Sequence, residues 1–433
     1  MEHDLAAGPV QGQLCPECGE ALTATDERFV VWCAACDWNV DPGAAEPEPG
    51  RLAAFRRRLA RRHGEQLAAE TAGGDPGRPR RDASALLALA LALAVHGVTL
   101  ALAVAGLLLI VLGWGTAVQP VEGLVLLVVA VVLRPRLGRL PQHGPVLHRA
   151  DAPRLFELID EVAAVTGTAG VHAVVVDGTV NAAVTAYGPR RRRVLTLGLG
   201  LWEVLGPRER VALLGHELGH FAHGDVRHGL VVHGALRSLL LWLRTLAPSP
   251  GHTVWDSLFN AVAFLPRCAT YALLVLLDRL TLRAAQRAEY QADRSAARAG
   301  STEGAVALMD RLLVAESIEA ELRRESVAAQ MTGGKGGRAA REAAEQGLWE
   351  RIAAHAASVP GHERERLSRV AARRGHSVDD THPPTHLRRQ CLSLGDPLPA
   401  QVTYDEHRAA AVTAELAAAR AAVARRIIRE RAG

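Results

Sequence analysis

The chain has 433 residues, more than one ordinary domain needs, and 49% of them are hydrophobic while 22% are charged. A mean hydropathy of +0.07 beside that charge indicates soluble parts joined to membrane-embedded ones. The formal net charge is only +4, which argues against a nucleic-acid-binding protein, so no nucleic-acid partner is expected.

Four cysteines near the N-terminus form two Cys-x-x-Cys pairs. Cys15 and Cys18 make the first pair, and Cys33 and Cys36 make the second. This spacing is typical of a zinc ribbon, in which four thiolates hold one structural zinc ion in a closed tetrahedral site. The alternative is a set of disulfides, which would need an oxidising compartment. We therefore predict a zinc ribbon over residues 1–41, and the sequence names no partner for it.

The next segment, residues 42–82, is predicted to be a linker followed by a basic amphipathic helix. Asp41–Gly50 is rich in proline, glutamate and glycine, which is typical of a linker and predicts that the ribbon folds independently. A cluster of arginines at 56–62 then suits contact with anionic lipid headgroups, so a lipid membrane is an expected partner.

Two apolar runs predict a transmembrane hairpin over residues 83–134. No Asp, Glu, Lys or Arg occurs between Ala85 and Gly113, and at about 1.5 Å per residue this run exceeds a hydrocarbon layer of roughly 30 Å. Arginines lie before the first run and after the second, and positive flanks favour the cytoplasmic side. We expect a multi-pass protein of the cell membrane whose two flanking regions are cytoplasmic.

The most informative motif is the His-Glu-Leu-Gly-His stretch at 216–220. Pro207 predicts the start of a helix on which His216 and His220 share one face. Two imidazoles at this spacing can hold a zinc ion, and Glu217 lies where it can take a proton from a zinc-bound water. The alternative is a structural histidine pair on a surface helix.

A catalytic zinc ion also needs a third protein ligand and one open position. Glu289 is the preferred candidate, because it lies in a stretch of helical composition with Asp293 one turn later. A second carboxylate in this position can accept a hydrogen bond from a ligating histidine and fix its orientation. His223 and His228 are the weaker alternatives.

Two hydrophobic helices, 229–247 and 254–277, are predicted between the His-Glu-x-x-His helix and Glu289. Each has polar residues at helical spacing, among them Arg237 and Arg267. An arginine at the middle of a membrane costs roughly 2.5 to 3.5 kcal/mol, so we expect these polar faces to turn towards protein or water. The alternative is a pair of soluble helices. The composition of residues 400–433 predicts a basic, alanine-rich C-terminal helix.

Four separated motifs resemble one family, the membrane-bound zinc metallopeptidases that include the HtpX heat-shock protease and the CAAX prenyl proteases. The resemblance extends over roughly residues 171–392. Its motifs are the strand pair at 181–199, the zinc helix at 216–220, the helix at 289–293, and a late His-Pro motif at 381–385 followed by Arg388.

The resemblance implies a role for each matched residue. The zinc ligands would be His216, His220 and Glu289, with Glu217 as the general base. The supporting residues would be Asp293, which orients a ligand, and Arg388. The residues facing the substrate would be His382, near the reacting carbonyl, and Asn181 and Ala182, on a strand that binds an extended peptide.

Together these patterns predict a mainly α, integral-membrane protein with a gluzincin-like zinc metallopeptidase domain at 145–399 that includes a small β-sheet. One catalytic and one structural Zn²⁺ are the expected cofactors, and the catalytic site is expected on the cytoplasmic side with the ribbon. The expected activity is cleavage of peptide bonds in membrane or misfolded proteins. The alternatives are a non-catalytic membrane scaffold, in which the ribbon recruits a partner, and a dedicated prenyl-protein processing protease.

Overall fold

The computed structural model describes residues 13–22, 28–42, 62, 66, 83–113, 115–116, 118–135, 140–188, 190–222, 226–251, 253–331, 337–374 and 383–430. The predicted linker and basic helix at 42–82 lie almost entirely outside these residues, as do most of the arginines that flank the predicted hairpin. The predicted domain boundaries and the membrane orientation therefore stay predictions.

The described part of the chain is mainly helical and contains one small sheet. In chain order the helices are α1 (Ala83–Leu112), α2 (Val118–Leu133), α3 (Pro153–Thr166), α4 (Leu199–Trp202), α5 (Pro207–Ala222), α6 (Val226–Thr245), α7 (Val254–Gly300), α8 (Thr302–Leu313), α9 (Ala315–Met331), α10 (Gly337–Gln346), α11 (Leu348–Ser358), α12 (Gly361–Arg374), α13 (Thr385–Leu394), α14 (Glu406–Glu415) and α15 (Ala417–Glu430). The strands are β1 (Val146–Leu147), β2 (Ala173–Asp177), β3 (Ala182–Tyr187) and β4 (Arg192–Gly198).

The chain divides into two compact units. The larger unit comprises Met1–Pro76, Leu140–Ala222 and Ala288–Gly433, and the smaller comprises Gly77–Arg139 and His223–Arg287. Helix α7 is one continuous element across the boundary at 287/288, with Pro266 inside it. The sequence had predicted a hydrophobic helix that ends at residue 277, whereas the helix continues to Gly300 and carries Glu289.

Glycine allows the first two helices of the smaller unit to cross closely. A Cβ atom on Gly106 would lie 2.7 Å from the carbonyl oxygen of Gly123, and one on Gly123 would lie 2.6 Å from that of Gly106. Both distances are shorter than a carbon–oxygen contact, so this crossing of α1 and α2 requires glycine at both positions.

Two described helices are long and apolar enough to cross a membrane by length and composition. They are Ala83–Leu112, with a hydropathy of 2.5, and Val254–Leu282, with 1.6. Helix α2 is apolar but only 16 residues long. Most side chains of α1 and of residues 254–282 are exposed in the structure.

The sheet of the larger unit has the strand order β1-β2-β4-β3. Strands β2 and β4 are parallel, whereas β3 runs antiparallel to β4 and forms one edge of the sheet. Every residue of β2 is buried, because helices cover this central strand, and its Ala-Val-Val-Val-Asp sequence suits such a position. Helices α5 and α15 contact the sheet, and α3 and α8 pack on α5 around a core that includes Phe156, Trp202 and Met309.

The four N-terminal cysteines lie together in the larger unit. The Sγ atoms of Cys15 and Cys36 are 3.6 Å apart, as are those of Cys18 and Cys33, so the thiols are not disulfide-bonded. A tetrahedral zinc ion with bonds of about 2.3 Å separates its sulfur ligands by about 3.8 Å. Gly19 follows the first pair with a φ of 74°, the left-handed turn such a knuckle needs. This cluster is consistent with the predicted zinc ribbon.

Candidate active site

Helix α5 places His216, Glu217 and His220 on the same short stretch of backbone. Its first turn is capped by Glu209, whose carboxylate accepts a hydrogen bond of 2.8 Å from the backbone N–H of Gly206. Residues 210–219 of the helix are all buried. The histidines are therefore held by a helix that is packed along most of its length, which favours a rigid site.

Glu289 on helix α7 completes a group of three donor side chains. The Nε2 atoms of His216 and His220 are 3.2 Å apart, and they lie 3.5 and 3.6 Å from the two carboxylate oxygens of Glu289. A tetrahedral zinc ion with bonds of about 2.0–2.1 Å separates its ligand atoms by about 3.3 Å. Two imidazoles and one carboxylate with these separations fit zinc in both chemistry and size.

A buried ion pair supports the first histidine. The Nδ1 atom of His216 lies 3.0 Å from a carboxylate oxygen of Asp293. The Arg388 guanidinium donates two hydrogen bonds, of 2.6 and 2.9 Å, to the same carboxylate. With the proton on Nδ1 accepted by Asp293, the unprotonated Nε2 atom, on the side of Glu289, has its lone pair available for a metal ion.

The charges of this ion pair are stable in the buried site. Burial opposes ionisation of Asp293, but the Arg388 guanidinium outweighs it and lowers the pKa of the carboxyl well below its ordinary value. Burial likewise opposes the charge on Arg388, and the carboxylate of Asp293 outweighs it and raises the pKa of the guanidinium. Asp293 is therefore a permanent anion at neutral pH.

Glycines on α5 allow the two ligand-bearing helices to approach. A Cβ atom on Gly219 would lie 3.0 Å from the Cβ of Ser295 and 3.1 Å from the Cα of Ala292, and one on Gly215 would lie 3.0 Å from the Cα of Ala296. Sequence reasoning missed this role. The signal was present, because glycines four residues apart on a helix are a known pattern for close helix packing.

The predicted substrate-binding strand lies beside the zinc helix. Ala182 begins β3, and the carbonyl oxygen of Asn181 accepts a hydrogen bond of 3.0 Å from the N–H of Gly198. Strand β3 contacts α5 and forms the edge of the sheet. An edge strand next to the three donor side chains is a suitable place for an extended peptide, and the roles of Asn181 and Ala182 stay predictions.

His382 and the alternative ligand His223 lie outside the described residues. The two prolines that follow His382 are buried, and the carbonyl oxygen of Pro384 accepts hydrogen bonds from Leu387 and Arg388 at the start of α13. The late His-Pro motif therefore leads directly into the helix that carries Arg388, and the role of His382 stays a prediction.

The fold and the site define a class of protein. A helix with His-Glu-x-x-His, followed later in the chain by a helix that adds a glutamate to the same cluster, is the arrangement of gluzincin-type zinc metallopeptidases. A sequence profile of peptidase family M48 matches residues 149–394, more than half of the chain. The chain belongs to that family, and the resemblance inferred from the four motifs is confirmed.

Two similar proteins have the same name. The chain is 34% identical over 154 residues to a "Protease HtpX homolog" of Pyrobaculum calidifontis, which is 35% of this chain and 44% of the relative. A protein of the same name from Tropheryma whipplei strain Twist is 27% identical over 196 residues, or 44% of this chain and 66% of the relative. The chain thus spans between about half and two thirds of the curated relatives it matches. No solved structure matches it.

Proposed function

We propose that the protein is a membrane-integrated zinc endopeptidase. The observation that carries the proposal is the convergence of His216, His220 and Glu289 within the ligand spacing of one zinc ion, with Glu217 next to the first ligand. Three protein ligands leave the fourth position for water or substrate, which distinguishes a catalytic zinc site from a structural one.

The roles of the residues follow from their positions. When bound, zinc would lower the pKa of its water and polarise the scissile carbonyl. The buried Glu217 carboxylate would take the proton from that water and return it to the leaving amine. Asp293 would hold His216 in the orientation and tautomer that bind metal. Strand β3 would align the peptide, and His382 would donate a hydrogen bond to the developing oxyanion.

A second zinc ion is proposed for the ribbon. Its four thiols offer a complete tetrahedral set, so this ion would have no open position and a structural role. Metal analysis of the pure protein should therefore give two zinc ions per chain.

Membrane integration is supported by the two long apolar helices. We propose that the protein crosses the cell membrane more than once, with the ribbon and the active site in the cytoplasm, because arginines flank the hairpin on both sides. Recovery of the protein in washed membranes would support integration. Labelling of single introduced cysteines at residues 80 and 138 with a membrane-impermeant reagent, in intact and in opened cells, would test the orientation.

The proposed substrates are membrane or misfolded proteins. Detergent-solubilised protein should cleave an unfolded casein-like substrate with loose sequence preference, and Glu217→Gln should not. Cleavage restricted to a prenylated C-terminal peptide would instead support a dedicated processing enzyme. If the protein binds two zinc ions but hydrolyses no substrate, a non-catalytic scaffold would be supported. The presence of Glu217 argues against a scaffold.

A further inference from the structure

The zinc ribbon packs against helix α12 of the same unit. The indole of Trp32, which is completely buried, stacks on the imidazole of His362 with ring centroids 4.6 Å apart. The guanidinium of Arg369 lies 4.9 Å from the same indole ring. One aromatic side chain of the ribbon is thus enclosed by two side chains of α12 that lie about two helical turns apart.

Hydrogen bonds join the same two elements. Arg366, which is paired with Glu363 through two bonds of 2.7 Å, also donates a hydrogen bond of 2.8 Å to the carbonyl oxygen of Val40. Arg366, Glu363 and Val40 are all buried, so these bonds are shielded from water. The contact is therefore a built interface and not a loose encounter of surface side chains.

The turn around the second cysteine pair supplies further hydrogen-bond acceptors for α12. Arg369 donates to the carbonyl oxygen of Ala34, which lies between Cys33 and Cys36, and to the carboxylate of Asp37. Arg373 donates a bond of 2.7 Å to the other oxygen of that carboxylate. The positions of Ala34 and Asp37 depend on the turn that the cysteines enclose. The ribbon is too small to have much hydrophobic core of its own, so it needs its metal ion to keep that turn.

Helix α12 in turn contacts the helix that carries Arg388. It packs against α13 and α8, and Leu367 on α12 lies against the main core of the unit. Arg388 on α13 holds Asp293, and Asp293 holds His216. Described contacts therefore lead from the cysteine cluster through α12 and α13 to a candidate ligand of the catalytic zinc.

We propose that the ribbon is a zinc-dependent clamp on α12 that keeps Arg388 in position and so maintains the active site. The predicted effect on hydrolysis rests on the proposed peptidase function. The proposed clamp departs from the expectation from sequence that the ribbon folds independently. Metal bound to the four cysteines would then regulate hydrolysis at a site to which it contributes no ligand.

The test compares three variants of the full-length, detergent-solubilised protein. Cys15→Ser with Cys18→Ser removes the ribbon metal, Arg369→Ala removes contacts to Trp32, Ala34 and Asp37, and Arg364→Ala is the matched control on an exposed position of the same helix. The measurements are zinc content, amide hydrogen exchange in residues 361–374 and 385–394, and kcat/KM on a short unfolded peptide.

The double cysteine variant should keep about one zinc ion, exchange amides of α12 and α13 roughly tenfold faster, and lose roughly tenfold or more in kcat/KM. Arg369→Ala should keep both zinc ions and show a smaller change in the same direction, and Arg364→Ala should match the wild type. Unchanged exchange and kcat/KM in a cysteine variant that has lost one zinc ion would overturn the proposal.

Two further outcomes are decisive. If amide hydrogens in α3 and β2 of the cysteine variant also exchange faster, the variant has lost its overall fold. Arg369→Ala then decides the question. Faster exchange in its α12 and α13 supports the clamp, and unchanged exchange excludes it. If the wild type cleaves no peptide, the proposed function fails, while hydrogen exchange still tests the clamp.

Discussion

The two candidate metal clusters of this protein are built from the chain in opposite ways. The four thiols come from residues 15–36, in two turns close in sequence, and two of them are exposed. The three donors of the active site come from two different helices, with Glu289 more than sixty residues after His220, and a third helix supplies Arg388. The first cluster is assembled by local turns, and the second by helix packing.

This difference predicts how each site depends on its metal. Among the described residues of the ribbon, few side chains are buried besides Trp32, Val40 and two of the cysteines, so its turns need the ion to persist. The helices α5 and α7 are held by a large core and by the pair of Asp293 with Arg388, so their donors are positioned before metal binds. Loss of the ribbon ion should unfold the ribbon, whereas loss of the catalytic ion should leave α5 and α7 in place.

The largest expected effect separates catalysis from metal binding within the second cluster. Glu217→Gln should lower kcat/KM by roughly 10²- to 10⁴-fold, because the general base is removed while all proposed ligands stay. Zinc content by mass spectrometry should remain at two ions per chain. Full turnover in this variant would show that another group takes the proton.

The next prediction separates the two metal sites. Glu289→Ala should remove the catalytic zinc ion and leave the ribbon ion, because only one ligand of one cluster is lost. Glu303→Ala, which removes an exposed carboxylate on α8, is the control and should bind two ions. Two ions in Glu289→Ala would mean that another side chain is the third ligand, and His223 would be replaced next.

A smaller effect is expected from the residue that supports His216. Asp293→Ala should weaken zinc binding by roughly 10- to 100-fold, measured by competition with a chelator, because His216 loses its hydrogen-bond acceptor. It also removes the carboxylate that forms two hydrogen bonds with the buried Arg388 and leaves only Glu289, 3.8 Å away, as its counter-charge, which should destabilise the fold by up to roughly 3–5 kcal/mol. An unchanged zinc affinity in a folded variant would contradict the proposed role.

The smallest expected effect concerns helix packing behind the site. Gly219→Ala introduces a Cβ atom at about 3 Å from α7 and should cost roughly 1–3 kcal/mol of stability, with weaker zinc binding as α5 and α7 separate. Gly97→Ala is the control, because a Cβ atom there meets nothing within 4 Å. Equal melting temperatures for the two variants would show that α5 and α7 can adjust without cost.

The features that could be anticipated from the sequence are those whose pattern is local. The cysteine spacing, the histidines four residues apart and the pair of Glu289 with Asp293 all place chemical groups at fixed intervals on a turn or a helix. Length and hydropathy likewise located the apolar helices. In each case the geometry within one element follows from its backbone period, and the zinc chemistry follows from the residue types.

Contacts between distant elements came only from the tertiary structure. The bidentate hold of Arg388 on Asp293, the approach of α7 to Gly215 and Gly219, and the packing of the ribbon on α12 join residues separated by up to several hundred positions. No backbone period connects such residues, because their proximity results from the path of the chain around a shared core. The sequence therefore contained the groups of both metal sites, whereas the dependence of one site on the other arises from the fold.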